Sequence, residues 1–541
     1  MFLPRPREES TPLSEHLEGE ACFEAGSSTR SYTCSAVGQE NYFLPTFRRY
    51  SPGFRPGPPE EDLLGRHHPP PFAMETCHAV PSSVSADTIK KLGIRSSAHG
   101  QRESMSNTAT RASDLLEQRT IRKITWRLIP FLMLLYFVAF LDRINVGFAA
   151  LTMNKDIGLT SQMFGFGAGI FFAGYFAFEV PSTIILHKVG ARFWIGRVMI
   201  TWGLVSVAMA FTRGPISFYI LRFLLGLAEA GFFPGIILYL SYWFPSHRRS
   251  AVTAMFMAAA PIAGLIGSPI SGALMQLNGL LGLRGWQWLF LLEGIPALVL
   301  GSITFHFLTD RPADAAWLTP DERGWLSQAI LQEQADIRDP RSHSAWRALM
   351  DWKVLALSLA YFGTSAGLYT IGFWAPLIVK GLGFSVFHIG LLVAIPNLIA
   401  VIGMILWSRN SDRTGERYWH AAIACIIAAI GMAMAARAGS SAILAITGLS
   451  LTALGVSAAK PPLWSLPTGF FGGTAAAASI GLINSLGTLG GFVGPYMIGS
   501  TNGTSGNFSR GLYLVGGTLI VSAVTIVIMR FILNREAGQK L

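Results

Sequence analysis

Twelve apolar runs of about 17 to 25 residues recur along this chain, each long enough to cross roughly 30 Å of hydrocarbon as a helix. They fall near 126–150, 162–186, 194–212, 217–240, 250–276 and 286–308, then near 353–379, 386–407, 419–437, 441–464, 474–499 and 511–533. Strands of alternating polarity are absent, so helices rather than a closed barrel must satisfy the backbone in lipid. With 51% of residues hydrophobic and 13% charged, most of the mass belongs in the bilayer. The expected fold class is an all-α integral membrane protein of twelve transmembrane helices.

Two spans carry charges in their interiors. Asp142 and Arg143 lie within LLYFVAFLDRINVGFAAL, and Arg222 and Glu229 within FYILRFLLGLAEAGFFPG. An ion in hydrocarbon costs a few kcal/mol on the gentlest insertion scale, so such residues line a water-filled path and mark ion or substrate transit. A transporter is the first expectation. No HExxH, P-loop or GxSxG motif in a suitable setting argues for a membrane enzyme.

Orientation follows from Lys and Arg, which stay on the cytoplasmic side. With the amino terminus inside, the inner loops hold Lys188, Arg192 and Arg197, then Arg248 and Arg249, then Arg311, Arg323, Arg338, Arg341 and Arg347, then Arg409, Arg413 and Arg417. Each outer loop holds about one: Lys155, Arg213, Arg284, Lys380, Arg437 and Arg510. Both termini are expected in the cytoplasm. The same bias accounts for much of the net charge of +11, with no nucleic-acid partner implied.

Residues 1–104 differ in kind. They are rich in Pro, Ser, Glu and Arg, with fragments such as RPGPPEED that form no packed core, and disorder is expected there. Met105 opens MSNTATRASDLLEQRTIRKITW, which leads straight into the first span, and it is the expected natural start. Cys22, Cys34 and Cys77 in this leader have no paired or metal-ligand spacing, and Cys425 reads as a small apolar packer inside a span. Asn502-Gly503-Thr504 and Asn507-Phe508-Ser509 match the short glycosylation pattern in an outer loop.

The polar segment 309–350 separates two six-helix halves, 105–308 and 351–541, and reads as an amphipathic cytoplasmic linker. Thr319-Pro320-Asp321-Glu322 supplies a helix cap, a first-turn proline and early acids. The halves resemble one another: HKVGARFW at 187–194 aligns with DRTGERYW at 412–419, and the same offset carries Trp126 to Trp352 at the start of the seventh span. Internally repeated halves are the signature of a carrier built around a central site.

On these residues the chain resembles the major facilitator superfamily, whose loop motif is matched best by Ser411, Asp412, Arg413, Thr414, Gly415, Glu416 and Arg417. The resemblance implies a gating role for Asp412, Arg413, Gly415 and Arg417. The first copy departs from the pattern, with His187-Lys188 in place of Asp-Arg. LDRINVGFA, EVPS at 179–182, RFLLGLAEAGFFPG and SYWFP at 241–245 are similar to the anion:cation symporter branch, especially its tartrate, hexuronate and sugar-acid carriers. The resemblance covers about residues 120–535 and implies a bacterial inner-membrane location.

The chemistry has its own logic. An organic acid away from water needs fixed cations, and Arg143 and Arg222 offer planar forks that stay charged. Proton coupling needs carboxyls that exist in both states, a role open to Asp142 and Glu229. Arg222 and Glu229, two helical turns apart, share one face. The resemblance assigns the same proton-binding and substrate-facing roles to these four residues. Static pairing of the acids with the arginines is the competing reading. Lys460 is a candidate third cation, or a residue that snorkels to the interface. Asn397 and Asn484 are candidate substrate-binding amides, or bonds between helices. Tyr175, Tyr361 and Tyr369 are candidate cavity walls, Glu179 a gate partner, and the series Gly487, Gly490, Gly491 and Gly494 a close helix contact. The expected function is proton-coupled uptake of a small organic anion, tartrate or a related hydroxy-dicarboxylate or sugar acid, by a monomer that uses no metal and no cofactor beyond the proton. Anion exchange, which the partial antiporter-like motif GLIGSPISG at 264–272 keeps open, and aromatic-acid symport are the alternatives.

Overall fold

The computed structural model of the protein describes residues 94–336, 350–470, 473–502 and 507–538. The leader through residue 93, with Cys22, Cys34 and Cys77, lies outside them, as do residues 337–349 of the linker and Gly503 and Thr504 of one glycosylation pattern.

The described residues are helical. The helices are α1 (Ile94–Asp156), α2 (Ser161–Val189), α3 (Ala191–Met209), α4 (Pro215–Glu229), α5 (Phe232–Trp243), α6 (Ser246–Met257), α7 (Ala259–Leu274), α8 (Gly285–Phe307) and α9 (Pro320–Asp336). After residue 350 follow α10 (Trp352–Lys380), α11 (Val386–Thr414), α12 (Tyr418–Ala436), α13 (Ala442–Ser465), α14 (Pro467–Phe470), α15 (Gly473–Thr488), α16 (Gly490–Asn502) and α17 (Ser509–Gly538). Because α1 begins at Ile94, the last residues of the stretch expected to be disordered are helical.

Ten helical stretches among the described residues are long and apolar enough to cross a membrane. The third and eleventh expected runs, at α3 and the α15–α16 pair, are helical but fall outside those ten. Three expected spans are broken rather than continuous. The fourth stops at Glu229, where Ala230 turns extended (ψ 135°) and Gly231 adopts φ +82° before α5 begins. The fifth divides at Ala258 and the eleventh at Leu489. A residue at such a break presents its side chain where backbone groups are also uncommitted, a common setting for binding in carriers.

Local signals explain the other ends. The side chains of Thr160, Asp351 and Ser441 cap α2, α10 and α13 by accepting from the first-turn N–H groups of Met163, Lys353 and Leu444. Gly190 (φ +91°) and Gly415 (φ +68°) close α2 and α11 at equivalent places in the two loop motifs, where a Cβ would be strained. Thr319 and Glu322 form a reciprocal capping box at α9: the Thr319 N–H donates to Glu322 Oε2 (2.9 Å) and the Glu322 N–H to Thr319 Oγ1 (3.3 Å).

Glycine sets the closest crossings between helices before and after the linker. A Cβ on Gly165 of α2 would lie 2.7 Å from the Pro495 carbonyl of α16, and one on Gly499 of α16 would lie 2.5 Å from the Ser161 carbonyl. On α7 and α11, Gly272 and Gly390 meet backbone to backbone in the same way. Of the glycines singled out in the eleventh span, Gly490 and Gly494 pack on the α10 carbonyls of Phe362 and Ala366, Gly487 packs on the Tyr361 ring and Gly491 on the Phe172 ring. A methyl group at these crossings would push main chains apart.

Candidate functional site

The intramembrane charges converge at the centre of this bundle, but not in the pairs that their spacing along the chain suggests. Arg143, on α1, is 5% exposed. Its Nε donates to Glu229 Oε1 (2.6 Å), its Nη2 lies 2.5 Å from the same oxygen, and its Nη1 donates to the Tyr369 hydroxyl of α10 (3.1 Å). One guanidinium therefore joins α1, the broken end of α4 and a helix from beyond the linker. Glu229 Oε2 has no hydrogen-bond partner.

Arg222 is fully buried, and Nη2 makes its one hydrogen bond, to the Ala168 carbonyl of α2 (3.1 Å). Nε and Nη1 have no partner. Its charge rests on aromatic faces, 5.1 Å from the Phe171 centroid and 5.7 Å from that of Phe373. Arg143 lies over the same Phe171 ring at 5.6 Å and over Tyr175 at 5.1 Å. Such contacts stabilise a desolvated cation by about 0.5–2 kcal/mol, well short of what an ion pair supplies inside a protein. Lys460 of α13 is half-buried and stands near enough to Arg143 to interact with its charge.

Asp142 neighbours Arg143 in sequence but points elsewhere. The Trp202 indole N–H donates to its Oδ2 (2.7 Å), and the Ser206 hydroxyl (2.9 Å) and Asn145 amide (3.3 Å) donate to its Oδ1. It has no ion-pair partner among the described residues. Glu293 of α8, which the sequence reading did not single out, belongs to the same cluster: it is 2% exposed and accepts from the Ser271 hydroxyl of α7 (2.7 Å). Its signal was plain in WLFLLEGIPALVLG, a lone carboxyl inside an apolar run.

Neither candidate amide hydrogen-bonds an arginine among the described residues, Asn397 and Asn484 being committed elsewhere. Asn397 donates to the Val393 carbonyl of its own helix (3.0 Å) and packs against Gly264 at the α7–α11 crossing. Asn484 donates to Glu179 Oε1 (2.5 Å), while Ser485 donates to Glu179 Oε2 (2.5 Å), which ties α15 to α2. In the loop motif, Arg417 pairs with Asp412 (2.7 Å), Gly415 takes its left-handed turn, and Arg413 is exposed. Glu416 reaches Arg530 of α17. In the first copy, Asp310 fills the comparable place by accepting from the Arg192 N–H (2.8 Å). No cluster suited to a metal ion occurs among the described residues.

An open cavity of about 890 Å³ lies away from this centre, lined by Arg119, Arg122, Lys123, Trp126, Arg127 and Trp317 among others. Its polar groups are on α1 before the buried charges and on the segment after α8, so it shares no side chain with the Arg143–Glu229 centre.

Buried cations facing a carboxylate at the broken end of a helix are an arrangement that membrane carriers use. The chain belongs to the Major Facilitator Superfamily, which it matches over residues 132–495. It is 61% identical over 414 residues, 76% of this chain and 92% of the relative, to an Agrobacterium vitis protein provisionally named as a tartrate transporter. It is 39% identical over 424 residues, 78% of this chain and 98% of the relative, to the quinolone resistance transporter of Acinetobacter baumannii. Among solved structures, the xylose transporter XylE of E. coli in a partially occluded inward-open conformation overlays with a TM-score of 0.61 at 17% identity, covering 74% of this chain and 97% of XylE. The protein is a multi-pass inner-membrane transporter with the all-helical fold of that superfamily.

Proposed function

We propose that this transporter is a proton-coupled symporter of a small organic anion, with tartrate first and related hydroxy-dicarboxylates or sugar acids next. It would work as a monomer by alternating access, through twelve crossings in two six-helix halves with both termini cytoplasmic. The observation that carries the reading is Arg222, a fully buried guanidinium whose Nε and Nη1 have no partner. Arg143, Arg222 and Lys460 gather three cations around the Glu229 carboxylate, with Asp142 and Glu179 near enough to act on their charges, and a substrate carboxylate would meet the bare nitrogens of Arg222. The named activity of the Agrobacterium vitis relative points to the same chemistry.

Coupling follows from competition for Arg143. A substrate carboxylate that takes the Arg143 fork displaces Glu229, whose Oε2 already lacks a donor. In a dry site a displaced carboxylate is costly unless protonated, so anion binding and protonation of Glu229 favour each other. The cycle is protonation from outside, anion binding at Arg143 and Arg222, reorientation of the halves, and inward release followed by deprotonation. Entry of a dianion with two protons moves no net charge; each uncompensated charge crossing 100 mV would be worth about 2.3 kcal/mol, and each proton moving down a tenfold gradient about 1.4 kcal/mol.

The test is uptake of labelled tartrate, glucuronate and galactonate into proteoliposomes under an inward proton gradient, for the natural protein and Glu229→Gln. Gradient-driven accumulation that disappears in Glu229→Gln while counterflow persists supports the symporter. Exchange indifferent to the gradient in both proteins replaces it with an anion antiporter.

A further inference from the structure

We propose that Glu293 is a proton-binding residue, paired with Asp142 through the Asn145 side chain so that the two carboxyls together carry one proton in this conformation. The assignment rests on the symport reading for its part in transport, but not for the protonation itself.

The argument begins with donors and acceptors. Asp142 accepts three hydrogen bonds, from Trp202, Ser206 and Asn145, a set that satisfies an ionised carboxylate. Glu293 accepts one, from Ser271, and its Oε2 has no partner in a fully enclosed position. Asn145 lies beside Glu293 as well as beside Asp142; its Nδ2 donates to Asp142, and its Oδ1 has no partner. The cluster thus holds two acceptor oxygens that make no well-formed hydrogen bond, Glu293 Oε2 and Asn145 Oδ1, while the Asn145 amide that donates to Asp142 also lies against Glu293. A proton on Glu293 Oε2 turns that oxygen into a donor for Asn145 Oδ1. The resulting chain runs from Glu293 Oε2–H to Asn145 Oδ1 and from Asn145 Nδ2–H to Asp142 Oδ1. One proton is gained, no bond is broken, and both oxygens are satisfied.

Charge leads to the same place. The groups facing Glu293 are Asp142 and Asn145 from α1, Ser271 from α7 and, beside the neighbouring Gly294, Ser206 from α3. Asp142 is the one titratable group among them, and it carries the same sign. Two carboxylates in one dry cluster without a cation between them do not both ionise, so the pair retains a proton. Asp142 also interacts with the charge of Arg222. An anion bound at Arg222 would cancel the field that favours ionised Asp142, so substrate binding would draw a further proton onto the pair. Glu229 and the Asp142–Glu293 pair would then be two separate proton sites, enough for a dianion.

The experiment is infrared difference spectroscopy of the purified full-length protein, with protonated carboxyl C=O bands recorded at neutral pH in water and in deuterium oxide. The natural protein is expected to show a deuterium-sensitive band that is absent in Glu293→Gln and shifted, not lost, in Glu293→Asp. In Asp142→Asn the like charge is removed, and the Glu293 band should titrate away at a pH lower by at least about one unit. An unchanged band in folded Glu293→Gln overturns the assignment, as does an unchanged titration in Asp142→Asn. If the symport reading alone fails, these bands persist while uptake ignores the proton gradient. If both hold, these bands accompany uptake that the proton gradient drives.

Discussion

Replacing Arg222 by Met is expected to stabilise the substrate-free protein while abolishing its response to anions. Two buried nitrogens, Nε and Nη1, lack partners, and each unsatisfied charged donor costs about 1–3 kcal/mol. Against that stand the bond to Ala168, worth about 1.5–3 kcal/mol as a charged hydrogen bond, and contacts with Phe171 and Phe373 worth about 0.5–2 kcal/mol. Met keeps most of the shape and removes the cost of burying an ion that has no ion-pair partner among the described residues. The expected net gain is therefore about 1–2 kcal/mol, an upward shift of a few degrees in the unfolding midpoint. Thermal unfolding of the purified protein, with and without millimolar tartrate, checks both halves of the claim. The natural protein should melt lower alone and gain on adding the anion; Arg222→Met should melt higher alone and gain nothing. A substitution that lowers the midpoint without substrate would show that the guanidinium is a structural element, and the inference from its bare nitrogens would fail.

Other expectations concern packing and pH. Gly226→Ala would place a Cβ 1.9 Å from the Phe171 carbonyl, and since backbone cannot yield like a side chain, a loss of about 3 kcal/mol is expected. A monodisperse gel-filtration peak and an unchanged midpoint would show that α2 and α4 separate freely. Glu322 is held below the usual carboxylate range: burial opposes ionisation, but bonds from Lys123 and the Thr319 N–H outweigh it. A depressed value means that the stabilisation is present above the unfolded value of about 4.3 and is lost as pH falls through the lower folded value. Amide protection of α9 by hydrogen exchange, corrected for intrinsic rates, should hold from neutral pH to about pH 4.5 and fall only below it. A decline beginning near pH 6 would contradict the role of Glu322.

The spans and their buried charges were legible because hydrocarbon leaves so few explanations for an internal ion. The partners of those charges were not. Arg222 and Glu229 share a helix, yet Glu229 pairs with Arg143, because α4 ends at Glu229 and the chain turns at Gly231. That break depends on how α4 meets its neighbours, which a continuous apolar run does not record. Asn484 looked apt for a substrate hydroxyl, but its bond to Glu179 joins residues 305 positions apart. Asp142 is the converse case: its donors are an indole, a hydroxyl and an amide, all ordinary residues within apolar sequence, so nothing in the chain marks them as its shell. Glu293 carried the same signal as Glu229 and needed only equal attention.

The crossings of α2 with α16 and of α7 with α11 set main chain on main chain at Gly165, Gly499, Gly272 and Gly390, and side chains interlock beside those contacts: the Phe166 ring against Phe492 and Tyr496, the Phe172 ring on Gly491, and Asn397 on Gly264. Relative turning of these helices would slide freely at the glycine contacts but would drag each ring across its neighbour, so the seam is a track with teeth. Polar catches add to that resistance: Asn502 on Ser161 and Lys380 on the Leu151 carbonyl, and Glu179 on Asn484 and Ser485. The rate at which such a carrier cycles would then be set by ring contacts and hydrogen bonds together, each replaceable one at a time, while the glycine track fixes the path.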